Sequence, residues 1–439
     1  MHADCRGLPV TAANADAVAA FDATVDAYLG FARDTGDRLK ATLKADPAMP
    51  LAHVLRGAFF LLMGKPGLLA KAAEASAAAN RALDGATTRE QRHAAALAAW
   101  CKGDFEGALR EWEAVLAEAP RDVMALKLAH YLHFYLGDAA AMRDSVAHAL
   151  PGWNESLPGY AAVLGMHAFG LEESGAYAEA ERTGRHAVEL NPDDPWAVHA
   201  VAHVLEMQDR ARDGVAWIRG LERRWDACNN FRYHLWWHLA LMHLGLGEAE
   251  AALALYDERV WDPASDEYLD LCNDAALLQR LELAGLDVGD RWAAVAGKAR
   301  GQLAARILVF IDAHYALALA AANDGQAAAE LVGAVRACAS GGAGTTAAVA
   351  AEVGADLCEG LLAYRAGDFG TAVERLAPLR ARLRRIGGSH AQRDLFGQIL
   401  VDAATRAGRR EVARAVLEER TAARPGQPYY RSRLAALGA

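Results

Sequence analysis

Two neighbouring stretches decide the fold: DFEGALREWEAVLAEA, residues 104–119, and VMALKLAHYLHFYLG, residues 123–137. In both, apolar residues recur three and four positions apart, the spacing of one helix face. Pro120 stands between them and ends the first helix by removing a backbone donor. Outward from this pair the same punctuation recurs. Small turn residues separate periodic segments at Gly64, Gly103, Gly137, Gly175, Asp209, Gly247, Gly285, Gly325, Gly367 and Gly408. The intervals are 39, 34, 38, 34, 38, 38, 40, 42 and 41, and the shortest equal the tetratricopeptide period.

Each unit carries further landmarks. Five residues after the turn stand Ala108, Ala180, Ala252, Ala372 and Ala413; seven before it stand Ala96, Ala168, Ala240 and Gly360. These are the positions of closest helix approach, where a large side chain would force the pair apart. Pro120, Pro192 and Pro425 lie seventeen residues after a turn and end second helices. Ala, Leu, Glu and Arg dominate, and no strand-like alternation stands out. The expected fold is all-α: a tetratricopeptide-type helix-turn-helix repeat superhelix (an α-solenoid) of about ten helix pairs. Residues 1–13 are expected to be an N-terminal tail, and residues 14–439 one continuous repeat domain. The segment ASGGAGTTAAVAAE (339–352) reads as a loop or helix entry, since no Lys-Ser or Lys-Thr follows to make a phosphate loop.

Composition narrows the function classes. With 439 residues and 53% hydrophobic residues, a sizeable core forms and global disorder is excluded. The 46 basic and 56 acidic residues give a net charge of -10, which argues against nucleic acid as a general partner. No apolar run reaches about 18 residues without charge, so no membrane span is expected. MHADCRGLPV has no basic stretch followed by an apolar one, so the expected location is cytoplasmic. Cysteines 5, 101, 228, 272, 338 and 358 show no CxxC spacing and read as reduced, mostly core residues.

HAVAHVLEMQDR (199–210), CNNFRYHLWWHLALMHLGLGEAEAALALYDERVW (228–261), CNDAALLQRLELAGLDVGDRW (272–292) and IGGSHAQRDLFGQIL (386–400) resemble the tetratricopeptide repeat protein 38 family. The resemblance runs from about residue 15 to the C-terminus. It implies an all-helical repeat fold and no reaction.

The histidines are the unusual feature. Of 15, twelve fall in first helices: 53, 93, 130, 133, 167, 199, 203, 234, 238, 243, 314 and 390. First helices line the concave wall of such a superhelix. His199 and His203 share a helix face with Glu206, and His234 and His238 share one in the next repeat, with Trp236 and Trp237 between them. The expected ligand-binding groove comprises His199, His203, Glu206, His234, Trp237, His238, Phe169, Glu172, Tyr131, His390 and Arg393. His93, Glu173, Phe134, Tyr135, Asn273 and Asp274 lie near it by register.

Three chemistries compete for this face. His199, His203 and Glu206 have metal-ligand spacing, but HxxxHxxE is neither the HExxH of zinc proteases nor a di-iron ExxH pattern, so no metal or cofactor is assigned. A pocket of imidazole and aromatic groups suits a small ligand or a peptide end, and His203 or His238 could serve there as acid or base. A scaffold would hold a protein segment in the groove. Chaperone-tail binders of this fold use Lys and Arg clamps, whereas this groove offers Lys127 as its lone basic candidate. The leading reading is noncatalytic recognition of a peptide segment or small ligand. The alternative is an enzyme, or a metal- or small-molecule-dependent protein, using the His/Glu/Trp cluster. In GGSHAQRD (387–394), Ser389 reads as a helix cap, with His390 and Arg393 either in interhelix bonds or closing the groove on an anion. WDPASDEYLD (261–270) reads as a helix-capping turn, RARLRR (380–385) as a solvated face, and PYYRSRLAALGA (428–439) as a candidate dimer contact.

Overall fold

The fold grows from its turns. At Gly103 the backbone enters the left-handed region (φ 76°), and Asp104 then accepts the Gly107 N–H at 2.8 Å to start helix Phe105–Glu118. The same two-residue device recurs at Gly137-Asp138, Asn323-Asp324 and Gly367-Asp368, where each Asp caps the following helix. Such a cap stabilises a helix by about 1 kcal/mol. Nine of the ten expected turn residues adopt positive φ. The exception corrects the register: Asn323 (φ 57°), not Gly325, makes the eighth turn. Asn tolerates this conformation through local hydrogen bonding, and Gly325 becomes the first residue of helix Gly325–Gly341.

A computed structural model describes residues 2–303 and 307–438. Among the described residues, eleven successive helix pairs run from Ala15–Leu29 with Thr35–Ala45 to His390–Arg406 with Arg410–Ala423, followed by helix Pro428–Gly438. The architecture is all-α and of the tetratricopeptide helix-turn-helix type. Ala96, Ala108, Ala168, Ala180, Ala240, Ala252, Ala372 and Ala413 are all fully buried, as the close approach of paired helices requires. Residues 345–354 are helical and lead into helix Ala355–Arg365, so the Gly/Ala-rich segment is a helix entry. No helix among the described residues is long and apolar enough to cross a membrane.

The chain forms two compact units. The first comprises Met1–Phe134, Asp138–Val201 and Leu221–Arg232. Its core holds Trp112 against Trp100, edge to face at 5.8 Å. Residues 2–10, expected only as part of a tail, form a hairpin pairing His2 with Val10 and Ala3 with Pro9. The hairpin is tied down by Arg6 on Asp26 (2.6 Å) and by Thr11 on the buried Glu90 (2.8 Å). Two-residue strands are too short to show a period, so no sequence pattern announces them.

The second unit comprises Tyr135–Gly137, Ala202–Gly220 and Tyr233–Ala439. Its largest buried side chains include Trp236, Trp237, Tyr256, Tyr315 and Tyr430. Tyr430 anchors the C-terminal helix by donating its hydroxyl to Asp394 Oδ1 at 2.6 Å, and Arg410 bonds the Leu437 carbonyl at 2.8 Å. The segment suggested as a dimer contact therefore folds back onto its own unit.

One close approach in this unit makes a sharp prediction. A Cβ at Gly137 (φ 66°) would lie 1.9 Å from the Arg384 carbonyl oxygen, whereas one at Gly408 (φ 68°) would meet nothing within 4 Å. Gly408→Ala carries only the left-handed penalty, about 1–2 kcal/mol. Gly137→Ala adds displacement of backbone, and its loss is expected to be larger by about 1–3 kcal/mol. Urea unfolding of both variants checks this; equal losses would show that the 137–384 contact constrains nothing.

Candidate functional site

In the first unit, helices Val123–Leu136, Tyr160–Glu173 and the start of Pro195–Met207 bring their inner faces together. The centre is Lys127, only 1% exposed. Its ammonium lies 4.5 Å from the ring centroids of Phe31 and Trp196 and 5.2 Å from that of Tyr131, a cation–π enclosure. Burial pushes the Lys127 pKa down to about 7, the charge of Asp194 opposing only in part. Asp194 is itself buried and its carboxyl is pushed up by burial, while Oδ1 accepts the Trp196 N–H at 2.9 Å. Phe169 and His199 belong to the same aromatic group, with ring centroids 5.3 Å apart, and His199 also lies 5.1 Å from both Trp196 and Phe231. His130 packs on Phe169 and Trp196, and burial holds its pKa well below the ordinary histidine range. Glu172 is completely buried, and Tyr131 is half-buried.

His93, expected near the groove, sits elsewhere in this unit. Its Nε2 meets Asp122 Oδ2 at 2.8 Å and its Nδ1 accepts from Trp112 at 3.1 Å. Arg89 completes the group on Asp122 at 2.5 Å. Burial pushes the Asp122 carboxyl up, but His93 and Arg89 outweigh it and hold the group far below the carboxylate range. This is interior pairing between helices.

In the second unit, three helix segments bring the remaining histidines together. His203 and Glu206 stand on one turn of Pro195–Met207, and His234, Trp237 and His238 on Phe231–Gly245. Asn273 and Arg280 come from Tyr268–Leu283. The His203 and His238 ring centroids are 4.4 Å apart, and those of His234 and His238 4.7 Å. A ring nitrogen from each of the three lies within 4.8 Å of the others. All are buried, at 0% (His203), 4% (His234) and 0% (His238) exposure. His238 Nδ1 meets Glu206 Oε2 at 2.9 Å, and His234 Nδ1 meets Asn273 Oδ1 at 3.2 Å. Trp237 stacks on His234 at 5.2 Å and carries the Arg280 guanidinium at 5.5 Å. Burial first, then the neighbouring imidazoles, holds His203 and His234 well below the ordinary histidine range, so both are neutral near pH 7.

Within this unit Glu206 stands behind His238, as the group that orients its ring. His390 and Arg393 come from helix His390–Arg406. Ser389 caps the helix as expected, and Gln392 completes a capping box with it. Arg393 donates to the carbonyls of Gly387 and Gly388, so its guanidinium closes the glycine turn. His390 is half-buried and close enough to His203 to depress its pKa.

Sequence reasoning missed Arg424. It is 5% exposed, donates to the Glu206 carbonyl at 2.6 Å and pairs with Asp209 at 3.1 Å. Glu206, Asp209, Met242 and Arg424 are among the residues lining a cleft of about 410 Å³. The only local hint was RPG (424–426) after a helix, which reads as a plain terminator. The 261–270 segment is a turn, with the Asp262 carbonyl accepting the Ser265 N–H at 3.1 Å, but the expected acidic cap is absent: Glu267 stands at the N-cap of helix Tyr268–Leu283 without a side-chain cap bond, and Ser265 donates to Asp270 at 2.5 Å.

No protein-family profile matches the chain. Among solved structures, one titled as Naa15/Naa10 bound to HypK-THB is similar at 15% identity, covering 96% of this chain and 60% of that one, with a TM-score of 0.28. The chain thus spans about three fifths of that structure's length. The P58(IPK) TPR domain is similar at 12% identity, covering 80% of this chain and 98% of that one, with a TM-score of 0.24. Likenesses this distant carry no argument about activity, and the repeat type stands on the turns and buried alanines described above.

Proposed function

We propose that the chain is a recognition protein that retains a small ligand at the imidazole cluster of its second unit, with the helical repeats as scaffold. The observation that supports this is the convergence of His203, His234 and His238, with ring nitrogens within 4.8 Å of one another in the interior. An extended peptide does not suit these residues. A bound strand needs about 3.3 Å of open surface per residue. Yet nine of the eleven expected groove residues are below a tenth exposed, with only Tyr131 and His390 half-buried. Enclosed polar groups among aromatic rings suit a small occupant, which they can surround and orient. The segments that resemble the tetratricopeptide repeat protein 38 family carry the same histidines, and membership of that family is part of the proposal. A cytoplasmic setting is also part of it, supported by cysteines spaced for neither pairing nor metal binding.

The test is native mass spectrometry of the freshly purified full chain, beside His203→Ala and His238→Ala. The expected result is one retained adduct per wild-type chain, absent from both variants while their far-UV circular dichroism matches wild type. A bare wild-type mass overturns retention. An adduct that survives in both folded variants moves the site elsewhere.

A further inference from the structure

The ring nitrogens of the cluster converge closely enough to hold a single cation. A neutral imidazole carries one N–H and one lone pair. The Glu206 carboxylate is an acceptor, so His238 Nδ1 carries its hydrogen toward it, and with the Asn273 amide oxygen facing His234 that ring's Nδ1 does the same. Both Nε2 atoms then present lone pairs, yet they lie only 3.3 Å apart. Two lone pairs at that distance repel unless a proton or a metal cation stands between them. Donors of a tetrahedral zinc site, at 2.0–2.1 Å from the ion, are about 3.3 Å from one another. His203 brings a third ring nitrogen into the group.

The geometry points to a divalent transition-metal ion of the zinc class held by His203, His234 and His238, with Glu206 and Asn273 as positioning residues. Three imidazole nitrogens with no thiolate select borderline ions such as Zn²⁺ and Co²⁺ over Mg²⁺ or Ca²⁺, which require oxygen donors. The carboxylate on the remote nitrogen of a ligating histidine fixes its tautomer and raises its basicity, which is the part Glu206 takes toward His238. This inference rests on the small-ligand reading above and names the ligand.

The experiment uses the full chain after chelator treatment and dialysis, titrated with Co²⁺ and then Zn²⁺. The expected result is one Co²⁺ per chain with the visible absorption of a tetrahedral nitrogen site, displaced by one equivalent of Zn²⁺. His203→Ala and His238→Ala are expected to abolish that spectrum. Should either variant lose its helical circular dichroism, Glu206→Gln addresses the same question with its shape preserved. It is expected to keep the Co²⁺ spectrum and to weaken affinity by about 10–100-fold. Absence of a wild-type spectrum, or unchanged Co²⁺ affinity in folded His203→Ala, overturns the metal assignment. In that case a retained organic adduct in native mass spectrometry leaves the small-ligand reading standing. A bare mass removes both. Proton sharing between His234 and His238 alone would appear as a chain that binds no Co²⁺ while its Glu206→Gln variant is less stable, and that result also overturns the assignment.

Discussion

Asp394→Ala is expected to lower the unfolding free energy by about 3–5 kcal/mol, the cost of leaving buried charges unpaired. Asp394 is 4% exposed and sits where several cations meet. It receives Arg420 at 3.0 Å, the Tyr430 hydroxyl at 2.6 Å and the Gln398 amide at 2.8 Å. Burial pushes its carboxyl up, but Arg420, Arg424, the Tyr430 bond and Arg280 together hold it below the usual range. Its removal takes Arg420's direct partner, leaves Arg280 and Arg424, each 5% exposed, without one of their counter-charges, and frees the anchor of the C-terminal helix. Asp394→Asn keeps acceptors for Tyr430 and loses only charge, so an intermediate loss is expected. The sign with pH follows. A depressed carboxyl contributes stability above its unfolded value of about 3.9 and loses it as pH falls toward its folded value. The gap between wild type and Asp394→Ala is therefore constant above about pH 5 and shrinks below about pH 4. Urea unfolding at several pH values reads both effects. A loss under 1 kcal/mol would mean that the arginines find other partners.

The second large effect is the pH profile of stability itself, which is expected to rise from pH 5.5 to 8.5. His130 and His314 are buried and stay neutral below the ordinary histidine range, His314 down to about 4. In the unfolded chain both take up protons near pH 6.5, so the unfolded state binds more protons and stability falls as pH drops. Between pH 7.5 and 5.5 the two contribute about 3 kcal/mol together. Lys127 extends the trend upward: its ammonium deprotonates at about 7 when folded, whereas an unfolded lysine keeps its proton to about 10.4. It adds about 1 kcal/mol per pH unit above 7. Asp274 acts in the opposite sense, because burial raises its carboxyl well above the ordinary range and the folded state holds its proton longer, and burial moves Asp194 in the same direction. Asp274→Asn removes one of these opposing contributions and is expected to steepen the rise. A flat profile in wild type and Asp274→Asn alike would contradict the buried state of these groups.

These two predictions separate what is local in this protein from what is not. The turn residues at 34- to 42-residue intervals, the alanines beside them and the helix-ending prolines determined the helix pairs, because each works within a few residues of backbone. Even the misplaced turn at Gly325 was wrong by only two positions, since Asn323 and Gly325 flank the same Asp cap. The skew of histidines to first helices was also legible, because side-chain direction repeats with the helix. Convergence was not legible. His203 and His238 are 35 residues apart, Glu206 and Arg424 are 218 apart, and Asp394 and Tyr430 are 36 apart. Sequence spacing sets the face on which a side chain stands, whereas the distance and angle between helices follow from how whole faces interlock. Only the tertiary structure moved Glu206 behind His238, spent Arg393 on the glycine turn and enclosed Lys127 among aromatic rings. The physical reason is that helix geometry is a property of adjacent residues, while burial and ligand convergence are properties of surfaces that meet only after folding.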